Sequence, residues 1–337
     1  YNVVAVVTQP DKPVGRHQDT LQPSQVKLYA VEHGLPVLQP VKMKDPEFVE
    51  QLRSYHADLQ VVVAFRMLPE VVWAMPRFGT FNVHAALLPQ YRGAAPINWA
   101  VINGETETGV TTFFLDHDID TGRIIMQKKF SIPDTADVEY VYDGLMHLGA
   151  EIAIETIDAL LTADGKIDSM PQAEMVEEGV ELKPAPKIFK ETCRIDFHKP
   201  AKQVYDFIRG LSPYPGAWTE LKKKEPIVVM MDDESDDEHD YEQPSPSVHP
   251  AQRKSTAKVQ VLKIFKTWKT GLHRGMAPVG SLRVENKHLQ VACVDEWLSI
   301  CELQLSGKKR MEVSAFLNGM KDIAYYECMK KDQSEDF

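Results

Sequence analysis

Cysteine is scarce in this chain of 337 residues, and long apolar runs are missing. The four cysteines (Cys193, Cys293, Cys301 and Cys328) form no Cys-x-x-Cys pair. This spacing disfavours a zinc site or a disulfide framework and favours reduced thiols in a cytoplasmic protein. No run of 18 apolar residues occurs, so the sequence predicts no membrane helix. The length and the 43% hydrophobic content suit a globular protein with two domains.

Positive charge is also in short supply, because the net charge is -11. The segment Asp232–Glu242 carries eight acidic residues and no Lys or Arg, so the rest of the chain has a net charge of only -3. Basic clusters lie in the C-terminal third, at Lys222–Lys224, Lys258–Lys269 and Lys308–Arg310. The overall charge therefore does not exclude RNA as a partner.

The first half of the chain alternates between apolar runs and helical patterns, which predicts an α/β fold with a mostly parallel sheet. Asn2–Val7, Asp58–Phe65 and Gly79–Ala85 have the composition of buried strands. Ser24–His33 is a predicted helix, with Gly34 placed to end it. Because the chain opens directly on a strand and without Met, we expect it to be a fragment that lacks an earlier unit.

A second group of elements follows. Thr111–Leu115 and Arg123–Ile132 are apolar runs joined by the polar segment Asp116–Gly122. Asp-Thr-Gly is typical of turns, so Asp120 is predicted on a loop between two strands. A long amphipathic helix is then predicted from one apolar stripe, at Val141, Leu145, Leu148 and Ile152.

A break at Pro184-Ala185-Pro186 predicts the boundary between two domains. We expect a catalytic domain over residues 1–183, a linker over 184–198 and a second domain over 199–330. Short strands from Ala217 onward favour a small barrel or sandwich in that second domain. The acidic, proline-containing stretch 232–256 cannot bury enough apolar area to fold, which predicts a disordered insertion.

Three side chains carry the chemistry. Asn82 and His84 lie two residues apart in a predicted strand, so they point to the same face near its carboxyl end, where open α/β sheets bind ligands. Asp120 is the third. Acyl transfer to an amine can use these three groups. The amide holds an oxyanion, the imidazole moves a proton, and the carboxylate orients the imidazole.

Other interpretations remain open on the residues alone. A single strand histidine is more often a hydrogen-bonded core residue than a catalyst. Asp116-His117-Asp118 could bind a metal in a hydrolase, although no second histidine motif supports a zinc site. The chain could also be a non-catalytic RNA-binding protein, in which case Asn82, His84 and Asp120 would have no role in its activity.

The residues around these side chains resemble the methionyl-tRNA formyltransferase family. The longest match runs from Asn82 to Ile97 and includes Arg92-Gly93-Ala94-Ala95-Pro96. Further matches are found at Thr8–Arg16, Gly34–Val37, Thr108–Thr111, Leu115–Gly122, Arg194–Asp196 and Phe316–Gly319. The Asn/His/Asp set alone would be shared by other enzymes that use 10-formyltetrahydrofolate. An alternative is therefore a formyltransferase or hydrolase acting on a small amine.

The resemblance implies a Rossmann-like formyltransferase domain, whose first strand and helix would be missing here, followed by an OB-like β-barrel. It also implies formyl transfer from 10-formyltetrahydrofolate to methionine on initiator tRNA. In that reaction Asn82 and protonated His84 would stabilise the oxyanion. Asp120 would raise the proton affinity of His84 and help to take the amine proton. We expect a monomer with no metal and no membrane association.

The resemblance also implies the substrate contacts. The folate is expected against Ala86, Leu87, Leu88 and Pro89, against Phe65, Arg66, Met67 and Leu68, and near Asp116. Ala86 stands where the family usually has Ser. The tRNA is expected to contact Lys12 and Arg16 in the first domain and Lys222, Lys308, Lys309 and Arg310 in the second. Residues 17–19 are less basic than is usual in the family, which leaves Arg16 as the main candidate in its loop.

Overall fold

A computed structural model describes residues 1–14, 20–64, 67–176, 178–224 and 259–331 of the chain. The chain divides into two compact units, Tyr1–Ile188 and Phe189–Phe337. The predicted insertion 232–256 lies outside the described residues, as do three of the predicted site residues, Arg16, Phe65 and Arg66.

The first unit contains eight described strands and five described helices. The strands are β1 (Val6–Val7), β2 (Lys12–Val14), β3 (Thr20–Gln22), β4 (Val37–Leu38), β5 (Gln60–Val63), β6 (Thr80–His84), β7 (Glu107–Phe114) and β8 (Ile124–Ser131). The helices are α1 (Gln25–Glu32), α2 (Pro46–Ser54), α3 (Glu70–Trp73), α4 (Pro96–Ile102) and α5 (Val138–Thr162).

The strand pairing confirms the predicted α/β class and shows a mixed sheet. β1 pairs with β4 in parallel, and β5 pairs with β6 in parallel. β7 runs antiparallel to both β6 and β8, which gives the order β5-β6-β7-β8. The loop between β7 and β8 is too short for the crossover that parallel strands require, so these two strands form a hairpin.

Helix α5 covers the β6–β8 part of this sheet. The Asp137 side chain caps its first turn by accepting a hydrogen bond from the N–H of Tyr140 (3.0 Å). The predicted apolar stripe faces the core, with Val141, Leu145 and Ile152 buried and Leu148 partly buried. This packing supports β6, the strand that carries two of the three predicted catalytic residues.

The second unit is a nearly closed antiparallel barrel, which confirms the predicted OB-like fold class. Its described strands are β9 (Ala217–Lys223), β10 (Gln260–His273), β11 (Leu282–Glu285), β12 (His288–Ala292), β13 (Glu296–Leu305), β14 (Met311–Glu312) and β15 (Tyr326–Cys328). Its described helices are α6 (Ala201–Gly210) and α7 (Val313–Gly319). The order is β11-β12-β13-β10-β9-β15, and a bridge between Ser281 and Glu327 joins the two edges.

None of the helices within the described ranges has both the length and the apolarity needed to cross a membrane.

Candidate active site

The site begins at β6, which lies between β5 and β7. Asn82 faces Val62 of β5 and Phe113 of β7 in the strand register, and His84 faces Thr111. The two polar side chains share one face of the strand, as alternation predicts. Both are buried, with 5% and 6% of their surface exposed. The Oδ1 atom of Asn82 has no hydrogen-bond partner among the described residues. A buried, unpaired polar atom is costly, and a catalytic role is one of the reasons for which a protein keeps one.

The chain leaves β6 through the predicted folate segment Ala86–Pro89, whose backbone is held by side chains of β7 and β8. The Thr111 hydroxyl donates to the Ala86 carbonyl (2.6 Å) and accepts from the Leu88 N–H (3.1 Å). Gln127 donates to the Leu88 carbonyl (2.8 Å). Ala86, Leu88 and Pro89 are buried, and Leu87 is partly exposed. The segment is therefore fixed at the carboxyl end of β6.

Both ring nitrogens of His84 face oxygen atoms. Nε2 lies 2.9 Å from the Tyr91 carbonyl oxygen, and because a carbonyl only accepts, Nε2 carries the proton. Nδ1 lies 3.8 Å from a carboxylate oxygen of Asp120. Burial lowers the pKa of His84, while the Asp120 carboxylate and the Tyr91 carbonyl oppose that change by stabilising the charged ring. Before substrates bind, the imidazole is thus neutral, and its Nδ1 atom, which faces the Asp120 carboxylate, is able to take a second proton.

Asp120 lies on the loop between β7 and β8, in the left-handed conformation with φ of 55°. Its side chain is 10% exposed, and the N–H of Gly93 donates to its Oδ2 atom (3.0 Å). Gly122 follows where the loop returns to the sheet, and a Cβ atom there would lie 1.7 Å from the Phe114 carbonyl oxygen. The Asp-Thr-Gly turn therefore needs glycine for a steric reason.

The structure brings Asn82, His84 and Asp120 together, and it adds Tyr91 to this group. Tyr91 has φ of 59°, which turns its carbonyl towards His84. Burial raises the pKa of the Tyr91 phenol, which stays protonated and donates to Glu105 (2.5 Å). The sequence shows Tyr91 only as part of a matching motif, and no local pattern indicates a backbone contact to a histidine seven residues earlier.

A second contribution that sequence reasoning missed comes from Ala185, inside the predicted linker. Its N–H donates to the Arg92 carbonyl (2.8 Å), and its carbonyl accepts from the Ala95 N–H (3.2 Å). A Cβ atom on Gly93 would lie 2.4 Å from that same carbonyl oxygen. Proline on both sides of Ala185 suggested only a break in structure, whereas the extended segment in fact braces the loop after β6.

The other predicted folate contacts are less closely grouped. Met67 is 66% exposed, and Leu68 packs against the core cluster of Leu38, Phe48, Val49, Leu52 and Val72. Asp116 is exposed, and its side chain accepts a hydrogen bond from the N–H of His117 (2.7 Å). Among the described residues, no group of three or more His, Cys, Asp or Glu side chains is arranged to hold a metal ion.

The predicted tRNA contacts lie in both units. Lys12 is exposed on β2, and Lys222 is partly exposed on β9. Lys308 and Lys309 are exposed in the turn between β13 and β14. Arg310 makes a two-pronged ion pair with Glu302 (2.5 and 2.7 Å), and its guanidinium lies 4.2 Å from the centre of the Phe265 ring. Part of its charge is therefore already neutralised within the barrel.

Comparison with known proteins matches both units to one family. The formyl transferase family model covers residues 1–157, and the model of the formyl transferase C-terminal domain covers residues 187–321. The methionyl-tRNA formyltransferase of Parabacteroides distasonis is 55% identical, over 97% of this chain and 90% of its own length. The chain belongs to the methionyl-tRNA formyltransferase family. The resemblance inferred from the motifs is thereby confirmed.

Solved structures confirm the fold of this family member. HypX from Aquifex aeolicus in complex with tetrahydrofolic acid matches with a TM-score of 0.53 and 17% identity, over 87% of this chain and 44% of that chain. WlaRD, a sugar 3N-formyl transferase, matches with a TM-score of 0.53 and 15% identity, over 92% of this chain and 100% of that chain. At these identities the likeness concerns the fold alone.

Proposed function

We propose that the protein transfers the formyl group of 10-formyltetrahydrofolate to the α-amino group of methionine on initiator tRNA. The product is N-formylmethionyl-tRNA, used to begin translation. The observation that carries the proposal is the placement of His84 between the Asp120 carboxylate and the Tyr91 carbonyl, beside buried Asn82. This geometry occurs in a chain 55% identical to a methionyl-tRNA formyltransferase over nearly its whole length.

In the proposed reaction a bond forms between the α-nitrogen of methionine and the formyl carbon, and the bond from that carbon to N10 of the folate breaks. One proton leaves the attacking nitrogen and one is delivered to N10, so charge balances. The amide of Asn82 and the protonated ring of His84 donate hydrogen bonds to the oxyanion. Donors held in a buried site need little reorganisation, which is why they stabilise developing charge effectively.

The state of His84 supports this proton path. Because burial lowers the pKa of His84, the ring is neutral before the reaction and is able to accept the amine proton. Nε2 already donates to Tyr91, so Nδ1 is the nitrogen that accepts. Asp120, 3.8 Å from Nδ1, is too far for a direct hydrogen bond but close enough to stabilise the imidazolium. A water molecule between Nδ1 and the Asp120 carboxylate would relay a proton from one to the other.

The residues present also suit the formyl donor. The unpaired Oδ1 atom of Asn82 marks a position where a polar group of a substrate would satisfy a buried atom. Next to it, the segment Ala86–Pro89 is held firmly and is largely apolar. We propose Ala86, Leu87, Leu88 and Pro89, together with Phe65, Arg66, Met67, Leu68 and Asp116, as the folate-binding residues.

An acceptor assay tests the proposed function. The full chain is incubated with 10-formyltetrahydrofolate and, in parallel, with initiator Met-tRNA, elongator Met-tRNA or an amino-sugar nucleotide. We expect formyl transfer to initiator Met-tRNA at the highest kcat/KM. Faster transfer to the sugar nucleotide, or formate release that needs no acceptor, would assign the site to a different formyl-transfer or hydrolysis reaction.

Asn82→Ala is expected to lower the single-turnover rate of formylation by about 100- to 1,000-fold, because one oxyanion donor is lost. The KM for Met-tRNA should change little, since Asn82 acts on the charge that develops during the reaction. A thermal melt of the variant checks that the buried substitution leaves the fold intact. A folded variant with a rate near that of the unmodified protein would remove Asn82 from the mechanism.

We propose that Lys12, Arg16, Lys222, Lys308, Lys309 and Arg310 contact the tRNA backbone. Phosphate contacts make binding sensitive to salt. Each contact removed should reduce the slope of log kcat/KM against log salt concentration by about one unit. We therefore expect Lys308→Gln with Lys309→Gln to flatten the salt dependence by about two units. The exposed Lys44 offers a matched control as Lys44→Gln. An equal effect in that control, or an unchanged slope in the double variant, would argue against these contacts.

We also propose that the protein acts as a cytoplasmic monomer, with a catalytic domain over 1–183, a linker over 184–198 and an OB-like domain over 199–330. Burial raises the pKa of Cys193 to about 11 and that of Cys293 to about 12, which keeps both thiols protonated and unreactive. Such thiols suit a reducing compartment. Sedimentation analysis of the purified chain tests whether the protein is a monomer.

A further inference from the structure

The catalytic set depends on two loops that come from different strands. His84 ends β6, and its Nε2 atom is held by the backbone of the loop that follows. Asp120 belongs to the loop between β7 and β8. The sheet positions the strands but not the tips of these loops. The Gly93 N–H joins the two loops at the Asp120 carboxylate, which lies 3.8 Å from His84, and a buried side chain joins the same two loops a second time.

Gln172 supplies such a contact. Its side-chain nitrogen donates to two carbonyl oxygens of the Asp120 loop, those of Asp120 (2.8 Å) and Gly122 (2.9 Å). Its side-chain oxygen accepts from both Nε (2.9 Å) and Nη2 (2.6 Å) of Arg92. Gln172 is 3% exposed, so its amide group is largely shielded from water. The oxygen and the nitrogen of one amide group thus make hydrogen bonds to two different loops.

Arg92 lies between the two residues whose backbones contact the catalytic set. The carbonyl of Tyr91 accepts from His84, and the N–H of Gly93 donates to the Asp120 carboxylate. The position of the Arg92 side chain therefore affects both of these backbone contacts. Gln172 connects the Asp120 loop to the loop after β6 at that position.

The chain around Gln172 is itself anchored. Met170 exchanges two backbone hydrogen bonds with Ile124 at the start of β8, both of 2.8 Å. Gln172 opens a short 3-10 helix, Gln172–Met175, in which Met175 packs against the cluster of Leu88, Phe113 and Ile124. The amide therefore has a rigid support, which a residue needs if it is to position others.

We infer that Gln172 is a positioning residue for formyl transfer, which sets the geometry of Asp120 relative to His84 by tying their two loops together. The inference rests on the proposed function. It requires glutamine in particular. A carboxylate at this position would keep the acceptor for Arg92 but lose the donor to the two carbonyls, and an apolar side chain of the same length would lose both.

The kinetic test uses Gln172→Met and Gln172→Glu in the full chain, with formylation of initiator Met-tRNA as the assay. Both variants are expected to lower kcat by about 10- to 100-fold with little change in KM, because a small misplacement of a catalytic group costs about that much. Glu174→Ala, an exposed change in the same 3-10 helix, is the matched control and should retain the normal kcat.

A second measurement separates positioning from a loss of stability. The pKa of His84 is followed by NMR in protein with labelled histidine, the signal being assigned by its absence in His84→Gln. We expect a lower His84 pKa in both Gln172 variants, since Asp120 raises this pKa and would be held less closely. If kcat and pKa are unchanged, or if kcat falls while the pKa stays the same in the folded protein, Gln172 does not position Asp120.

The same assays distinguish failure of this inference from failure of the proposed function. Absence of formyl transfer to initiator Met-tRNA by the unmodified protein would contradict the proposed function itself. An inactive His84→Ala together with a fully active Gln172→Met would contradict only the role of Gln172. Should Gln172→Met melt below the assay temperature, Gln172→Glu, which keeps the acceptor for Arg92, provides the same comparison.

Discussion

His84→Ala is expected to lower the single-turnover rate of formylation by about 1,000- to 10,000-fold. Proton transfer by a positioned side chain alone contributes about 100- to 10,000-fold. Since we assign His84 both this task and one donor to the oxyanion, the loss should lie at the upper end. Rapid-quench measurement with enzyme in excess over Met-tRNA isolates the chemical step from product release.

The control for this result is His147→Ala. His147 is exposed on α5 in the same unit, and its removal should leave the rate unchanged. A melting curve of His84→Ala confirms that the loss is not due to unfolding. A folded His84→Ala enzyme within tenfold of the normal rate would show that the imidazole takes no part in proton transfer.

Asp120→Asn is expected to lower the rate by a similar factor, about 1,000- to 10,000-fold. The amide oxygen is still able to accept the hydrogen bond from Gly93, so the loop should keep its shape. The negative charge is lost, however, and the carboxylate is what opposes the effect of burial on His84. Without it the pKa of His84 should fall further, and the imidazolium would form only at lower pH. Rate measurements and NMR titration of His84 check both effects.

Asp118→Asn is the matched control, because Asp118 lies on the same loop with an exposed side chain. It should leave both the rate and the His84 pKa unchanged. If Asp120→Asn were slow but His84 titrated at its usual pH, the charge of Asp120 would act on the substrates and not through His84.

The sequence predicted those parts of the fold that depend on local patterns. The strand predicted at Gly79–Ala85 is observed as Thr80–His84, and the helix predicted at Ser24–His33 is observed as Gln25–Glu32. Ser24 caps this helix by accepting a hydrogen bond from the N–H of Lys27 (3.1 Å). Apolar periodicity, turn residues and capping residues lie close together in the chain, so one segment at a time is enough to identify them.

Contacts between distant segments were harder to predict. Ala185 is separated from Arg92 by more than ninety residues, and Gln172 lies 52 residues after Asp120. Neither belongs to a motif with a recognisable spacing. Arg310 shows the same limit for charge, because the sequence does not reveal that this side chain is paired with Glu302 of β13. Strand register decides such pairs, and register depends on the folded sheet.

The amino-acid sequence by itself determined which chemical groups are available and on which elements they lie. Alternation along a strand placed Asn82 and His84 on one face, and turn chemistry placed Asp120 on a loop. Only the tertiary structure decided the protonation of His84, because that depends on burial, on the Asp120 carboxylate and on the Tyr91 carbonyl. Proton affinity is set by the surroundings of a group in three dimensions, and Tyr91 and Asp120 reach His84 from two different loops.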